Sequence, residues 1–249
     1  MWTDRTEILI GKDGLERLAS STVVVVGLGG VGAVAAEMVA RAGVGRMTII
    51  DCDTVSETNL NRQIIALGST VGRNKTDAVA ERLLDINARL SLDVRKIYLT
   101  EDNIPEVFAG ITSGASGKLF VIDAIDTLSP KLSLIKYCVD NAVPLVSSMG
   151  SGAKYDVTKI RIADVSKSFN CPLAYIVRKK LRHLGISKGF KVVFSEELPD
   201  QNAIVEMTPE EMAVASNKKS QVGTISYLPA AFGCACAQEA LRVLLGHPS

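Results

Sequence analysis

Paired cysteines are missing from this 249-residue chain: Cys52, Cys138, Cys171, Cys234 and Cys236 are odd in number and contain no C-x-x-C spacing. A paired-cysteine zinc site is therefore not expected, and a chain with a sizeable core has no need of a disulfide framework. The thiols read as reduced, small apolar residues. Charge of one sign is also lacking, since 28 Lys and Arg against 27 Asp and Glu leave a net charge of +1. No global field draws the chain to nucleic acid or anionic lipid, so any RNA contact needs a local patch. Long apolar runs are scarce. Thr22–Val26 is too short, and Pro229–Leu245 too interrupted by Gly, Gln, Glu and Arg, to suggest a membrane span. The polar start Trp2-Thr3-Asp4-Arg5 does not resemble a signal peptide, and the expected location is cytoplasmic. Of the two histidines, His183 and His247, neither has a metal or triad partner in sequence.

What is present is a core. Apolar residues make up 47% and charged residues 22%, which excludes disorder over the whole chain. Over the first 150 residues strand-like runs alternate with helical ones. Strands are expected at Thr22–Val26, Met47–Ile50, Leu92–Tyr98, Lys118–Ile122 and Pro144–Ser148, with helices ending at Ala42 and over Lys75–Ala88 and Pro130–Asn141. Such alternation predicts an α/β fold, a Rossmann-like, doubly wound and mostly parallel sheet. Residues 151–249 form a smaller subregion of the same domain, with a strand near Ile160–Ala163, a helix over Leu173–Leu184, a strand at Lys191–Phe194 and a last helix at Pro229–Leu245. Leu198–Lys219, rich in charge and holding Pro199 and Pro209, reads as a mobile loop with a weak helix start at Pro209.

The chemistry begins at Gly27-Leu28-Gly29-Gly30-Val31-Gly32. Gly27-x-Gly29-x-x-Gly32 follows a strand and opens a helix, giving a tight turn, a close backbone approach for phosphate and close strand–helix packing. Asp51, at the end of the second strand, stands where a ribose-binding carboxylate belongs; Asp53, two residues on, suits the same role or an Asx turn. These features do not separate NAD from ATP. Arg62, in Asn59-Leu60-Asn61-Arg62-Gln63, and Lys75, opening the next helix, bring two cations to the carboxyl-end crevice of the sheet. Two cations there suit a triphosphate that must be cleaved. Asp123-Ala124-Ile125-Asp126 ends the fourth strand, and either carboxylate could hold Mg²⁺ between phosphates.

This run of features resembles the adenylyltransferases related to ubiquitin-activating enzyme, including those serving molybdopterin and thiamin biosynthesis. The resemblance is strong over residues 5–150. It implies that Asp51 binds ribose, that Asn59, Arg62 and Lys75 contact the phosphates, and that Asp126 rather than Asp123 handles magnesium and assists adenylation. It further implies that Arg5 reaches into a partner subunit's site, and hence a homodimer. Within the group, the chain resembles the tRNA threonylcarbamoyladenosine dehydratases in its Asp123–Asp126 stretch, in Val143–Gly150 with the Gly-Ala-Lys that follows, and in Ala163–Val165 with Cys171–Ala174. That implies ATP as cosubstrate, a tRNA substrate and sulfur-relay proteins as candidate partners. The carboxylate of a threonylcarbamoyl group would attack the α-phosphate of ATP and expel pyrophosphate. A nitrogen of the same modification would then displace AMP and close a ring, with net loss of water. Proximity favours that step, which needs no covalent nucleophile, so Cys171 reads as a packing residue rather than a thioester former.

Between Val165 and Ser195 lie seven Lys or Arg and no acid, densest at Arg178-Lys179-Lys180-Leu181-Arg182. Arg178, Lys179, Lys180 and Arg182 are candidates for tRNA phosphates, or simply a solvated helix face. Three other readings compete. An activator of a ubiquitin-like sulfur carrier would share the ATP chemistry but adenylate a carboxyl-terminal glycine. A short-chain oxidoreductase would use Tyr175-x-x-x-Lys179, yet leaves Arg62 and Lys75 unexplained. A nucleotide-binding scaffold would have no need of Arg62, Lys75 and Asp126.

Overall fold

The computed structural model describes residues 2–114, 117–208 and 220–247. At its centre β1 (Thr22–Val26) is buried at every position. Branched side chains suit a pleated strand covered on both faces, where apolar–polar alternation has no purpose. β2 (Arg46–Ile50), β4 (Leu119–Asp123) and β5 (Leu145–Ser148) are buried nearly as completely. With β3 (Ser91–Arg95), β6 (Ile160–Asp164) and β7 (Lys191–Ser195) they make a seven-stranded sheet in the order β3-β2-β1-β4-β5-β7-β6. All pairings are parallel except β6–β7, where Ile160 faces Ser195 and Asp164 faces Lys191.

The chain runs outward from β1 through β2 to β3, then returns to lay β4 on the other side of β1. That reversal leaves a crevice at the carboxyl ends of β1 and β4, the place where doubly wound sheets bind ligands. Helices α2 (Gly32–Arg41) and α3 (Lys75–Ile86) cover one face with the last helix, α7 (Tyr227–Leu245). α4 (Ile104–Thr112), α5 (Leu128–Asp140) and α6 (Pro172–His183) cover the other. α2 is almost wholly buried because its alanines let it lie between the sheet and α7. Glu37, 4% exposed, is held there by Arg41 at 2.8 Å and Arg82 at 2.5 Å. Burial alone would raise its pKa, but the two guanidiniums outweigh this and hold the carboxyl below its ordinary value.

Two helices escape the sequence pattern. α1 (Asp4–Ser20) is interrupted by Gly11, at φ 74°, so its apolar positions never form one continuous stripe. α4 is short and starts beside Pro105. The loop expected from Leu198 is partly ordered: Ile204–Glu206 (β8) pairs antiparallel with Ser220–Val222 (β9). Residues 209–219, including the helix start expected at Pro209, lie outside the described residues. Among the described residues α7 alone is long and apolar enough to cross a membrane, and half of that stretch is buried within the protein.

Candidate active site

The turn after β1 is built for close approach. Gly27 has φ 85°, and a Cβ on it would lie 2.8 Å from the carbonyl oxygen of Ala124. A Cβ on Gly32 would sit 1.8 Å from the Gly27 carbonyl, so strand and helix can approach this closely only with glycine there. The start of α2 therefore presents its amino end to the crevice, suited to an anion. Asp51 is tied to this turn. Its Oδ2 accepts from the Leu28 amide at 2.6 Å and its Oδ1 from the Asp53 amide at 2.8 Å. Burial raises the pKa of Asp51, against the opposing pull of Lys75. A partly desolvated carboxylate gains from hydroxyl donors such as those of a ribose.

Lys75 arrives by backbone pairing. The Asp53 carbonyl accepts from the Lys75 amide at 3.0 Å, and the Val55 amide donates to the Arg73 carbonyl at 2.8 Å. Lys75 is only 7% exposed, and its ammonium donates to Asp53 Oδ2 at 2.7 Å. The sequence left Asp53 open between two roles, and here it partners Lys75. Asp51, Cys52 and Asp53 bring their ligand atoms within 4.8 Å of one another. However, burial first, then the charges of Asp53 and Asp51, raise the pKa of the Cys52 thiol, and Asp53 is paired with Lys75. This trio is a poor match for a metal.

Asn59 and Arg62, expected at the phosphates, are engaged within their own loop. Asn59 is 8% exposed, and its Oδ1 accepts from the Ser56 amide at 3.1 Å, closing a capping box on a short 3₁₀ turn. Its side-chain oxygen thus organises the loop. The main chain of Arg62 reaches the glycine turn, its carbonyl 3.2 Å from where a Cβ on Gly30 would be. Its guanidinium is bound by the Thr58 carbonyl at 2.8 Å and Asn61 Oδ1 at 2.9 Å. A neighbour that sequence reasoning missed is Gln63. It is 7% exposed, its amide nitrogen lies 3.8 Å from a Cβ built on Gly29, and its Oε1 has no hydrogen-bond partner. An orphaned acceptor beside a phosphate-type turn marks a polar position to fill. Burial of this kind leaves no trace in a residue string.

The structure separates Asp123, the last residue of β4, from Asp126, three residues beyond it. Asp123 is fully buried, and its Oδ2 accepts from Lys131 Nζ and Ser147 Oγ, both at 2.6 Å, while Oδ1 accepts from the Ile125 amide at 3.1 Å. Its carboxylate is committed to the core. Asp126 is exposed, two residues beyond the Ala124 carbonyl that touches Gly27. An accessible carboxylate there is a fitting oxygen ligand for Mg²⁺.

Arg5, Cys171 and the basic residues of α6 lie apart from this group. Thr3 and Leu15 pack against Gly43, just past the end of α2, which sets Arg5 near the opposite end of that ten-residue helix from the glycine turn. At 1.5 Å per residue the separation along the axis is about 15 Å. Cys171 is 4% exposed, its sulfur 3.6 Å from where a Cβ on Gly150 would be. Arg178 turns inward, its Nη1 donating to both the Ser168 carbonyl and Ser168 Oγ at 2.5 Å, so only Lys179, Lys180 and Arg182 of the basic group are exposed. Lys154, unremarked except as part of a Gly-Ala-Lys stretch, is 2% exposed, with Nζ 3.4 Å from the Gly150 and Ser195 carbonyls. Burial pushes its pKa down, opposed by Cys171 and Glu197. Two cavities, about 240 Å³ beside Lys118 and Val143 and about 350 Å³ between α4 and α5, lie away from the glycine turn.

A doubly wound sheet whose first turn is a glycine loop opening a helix, with a carboxylate, a lysine and an exposed aspartate around it, defines a nucleotide-binding fold of Rossmann-like type. Residues 3–249 match the ThiF family, and the chain belongs to it. It is 47% identical over 195 residues to the tRNA threonylcarbamoyladenosine dehydratase of Bacillus subtilis, covering 78% of this chain and 74% of that protein. With the Escherichia coli protein of the same name it shares 36% over 199 residues, 74% of this chain and 70% of the other. The crystal structure of E. coli tRNA N6-threonylcarbamoyladenosine dehydratase, TcdA, in complex with ATP superposes with a TM-score of 0.83 at 35% identity, over 97% of this chain and 92% of that one. E. coli MccB, at 17% identity and TM-score 0.65, shares the fold.

Proposed function

We propose that this protein is an ATP-dependent tRNA threonylcarbamoyladenosine dehydratase. The observation that carries the reading is the Asp51–Leu28 hydrogen bond joined through Asp53 to a buried Lys75, beside the glycine turn. It supports a nucleotide site with a cation at its phosphate end. Similarity to relatives of that name at 47% and 36% identity supplies the substrate.

In this reading the triphosphate lies across the amino end of α2, with its ribose hydroxyls donating to Asp51. Lys75 exchanges part of its bond to Asp53 for phosphate oxygens, and the Arg62 guanidinium swings from Thr58 and Asn61 toward the pyrophosphate that leaves. Both stabilise charge that moves onto the leaving group. Asp126 would hold magnesium, which when bound neutralises charge on the phosphates. The substrate carboxylate attacks the α-phosphorus and pyrophosphate departs. A nitrogen of the threonylcarbamoyl group then attacks the activated carbonyl and AMP leaves, so that one water is lost overall. Preorganisation favours that ring closure.

The protein acts as a homodimer in this proposal, with Arg5 completing the partner's site. Its position beyond the far end of α2 and the exposure of Ile8 and Leu9, 85% and 84%, on the same helix support it. Lys179, Lys180 and Arg182 would contact tRNA phosphates. Sulfur-relay proteins are candidate partners and the cytoplasm the expected compartment. The test is mass spectrometry of threonylcarbamoyladenosine-bearing tRNA after incubation with protein, ATP and magnesium. The expected result is loss of one water from the modified nucleoside with one AMP per event. Pyrophosphate release driven instead by a carrier protein ending in Gly-Gly would transfer the reading to sulfur-carrier activation.

A further inference from the structure

We propose that the half-exposed rings of Phe169 and Tyr175 form a stacking platform for unpaired bases of the RNA, set between the crevice and the cations of α6. This rests on the tRNA reading above and specifies how that substrate is held.

The path of the chain creates the platform. Because β6 runs antiparallel to β7, it ends opposite Lys191, at the amino end of the parallel strands. The segment after it must climb back, and Asn170, in left-handed backbone at φ 53°, donates from Nδ2 to the Glu196 carbonyl at 2.7 Å, just past the carboxyl end of β7. Cys171 lies against Gly150 past the carboxyl end of β5. Helix α6 therefore begins at the crevice end of the sheet and runs away from it. Ala174, Val177 and Leu181 form its buried stripe, leaving Tyr175, Lys179, Lys180 and Arg182 outside. Tyr175 and Lys179, four residues apart, share one face. From Tyr175 to Arg182 the axial rise is about 10 Å, roughly one to two nucleotides of extended strand.

Both rings are available. Tyr175 is 59% exposed and Phe169 46%. Phe169 packs edge-on against Phe194, centroids 5.5 Å apart, which steadies the ring while leaving about half of it in water. Its neighbours are fastened on both sides, Ser168 by Arg178 and Asn170 by the Glu196 carbonyl. Arg178, which a simple charge patch would spend on phosphate, instead anchors the loop that carries Phe169. An exposed phenylalanine in so firmly held a loop gives a prearranged stacking surface at small entropic cost. The nearby carboxylates are engaged: Glu196 pairs with Arg161 at 3.0 Å, and Asp164 accepts from the amides of Ser166 and Gly189. Aromatic faces followed by cations suit a single strand, whose bases stack while its phosphates meet lysine and arginine. A regular duplex hides its bases and would use the cations alone. The Tyr175-x-x-x-Lys179 spacing thus gains a role without redox chemistry.

The test is fluorescence anisotropy with the full-length protein and a labelled anticodon stem–loop RNA bearing threonylcarbamoyladenosine, beside a blunt RNA duplex of equal phosphate number. Tyr175→Ala and Phe169→Ala are each expected to weaken stem–loop binding about tenfold. They leave duplex binding, the salt slope and the KM for ATP unchanged, and Tyr175→Trp restores affinity. Lys179→Gln with Arg182→Gln is expected to lower the salt slope on both RNAs, by about 1.8 on the duplex and about 1.4 where the strand is single. Wild type that binds the stem–loop and releases AMP while both ring variants match it overturns the platform alone. Equal losses on stem–loop and duplex also overturn it. Wild-type protein that neither binds the stem–loop nor releases AMP overturns the functional reading beneath it.

Discussion

The two halves of this chain solve different problems. Up to Gly150 the strands are parallel and all but the edge strand β3 are buried, and polar groups at their carboxyl ends are locked by short backbone-directed bonds, as between Asp51 and Leu28. Beyond it come an antiparallel edge strand, a two-stranded antiparallel sheet and a helix with exposed cations and an exposed ring. On the function proposed above, the first half would hold a small, invariant molecule and the second would meet a large and irregular one. Chemistry rewards rigid placement of dipoles, whereas recognition of a long polyanion spreads over many weak contacts.

Substitutions can sharpen that contrast. The largest effect is expected in the first half, from Lys131→Ala. It leaves the fully buried Asp123 carboxylate without its ammonium, at a cost of about 3–5 kcal/mol in urea unfolding. The double variant Asp123→Asn with Lys131→Met recovers much of this, and equal losses in single and double variants would contradict the pairing. Lys75→Ala is expected to slow AMP formation by about 10²–10³-fold while its fold persists. A rate within a few fold of wild type would remove Lys75 from the phosphate site. In the second half, replacing Lys179, Lys180 and Arg182 with Gln is expected to raise the KM for tRNA and lower the salt slope by about 2, with kcat and the KM for ATP unchanged. A fall in kcat instead would erase the division of labour.

The smallest effect concerns pH. Glu37 is held below its ordinary value of 4.5 in the folded protein, so its contribution is complete above the unfolded value. That contribution is lost as pH falls through the lower folded pKa. Glu37→Gln therefore flattens the decline in melting temperature below about pH 4.5. An unchanged acid limb would show that Arg41 and Arg82 do not favour the ionised form. Asp51 has the opposite shift, its pKa raised chiefly by burial. On the ribose assignment nucleotide affinity weakens at mildly acidic pH, before ordinary carboxylates titrate.

The same contrast explains what could be read in the residues alone. The glycine turn was legible because each glycine answers a backbone demand, as at Gly27 and Gly32. Strand ends were legible because buried branched runs stop at polar residues, as at Asp51 and Asp123. Which aspartate of Asp123–Asp126 is accessible was not legible, since it depends on Lys131 and Ser147 from other elements. Nor was Asn59's cap, Gln63's unpartnered oxygen or the inward turn of Arg178. Each depends on a three-dimensional arrangement that a linear pattern leaves unspecified. α1 was missed because Gly11 breaks its period.

The whole account depends on where the triphosphate is cut. Incubating the protein with α-³²P-labelled ATP, magnesium and tRNA bearing threonylcarbamoyladenosine, then separating the products, measures this directly. The prediction is labelled AMP in step with dehydrated nucleoside, and slowed by about 10²–10³-fold in Lys75→Ala. Labelled ADP, or AMP that forms equally well without the modified tRNA, would contradict it.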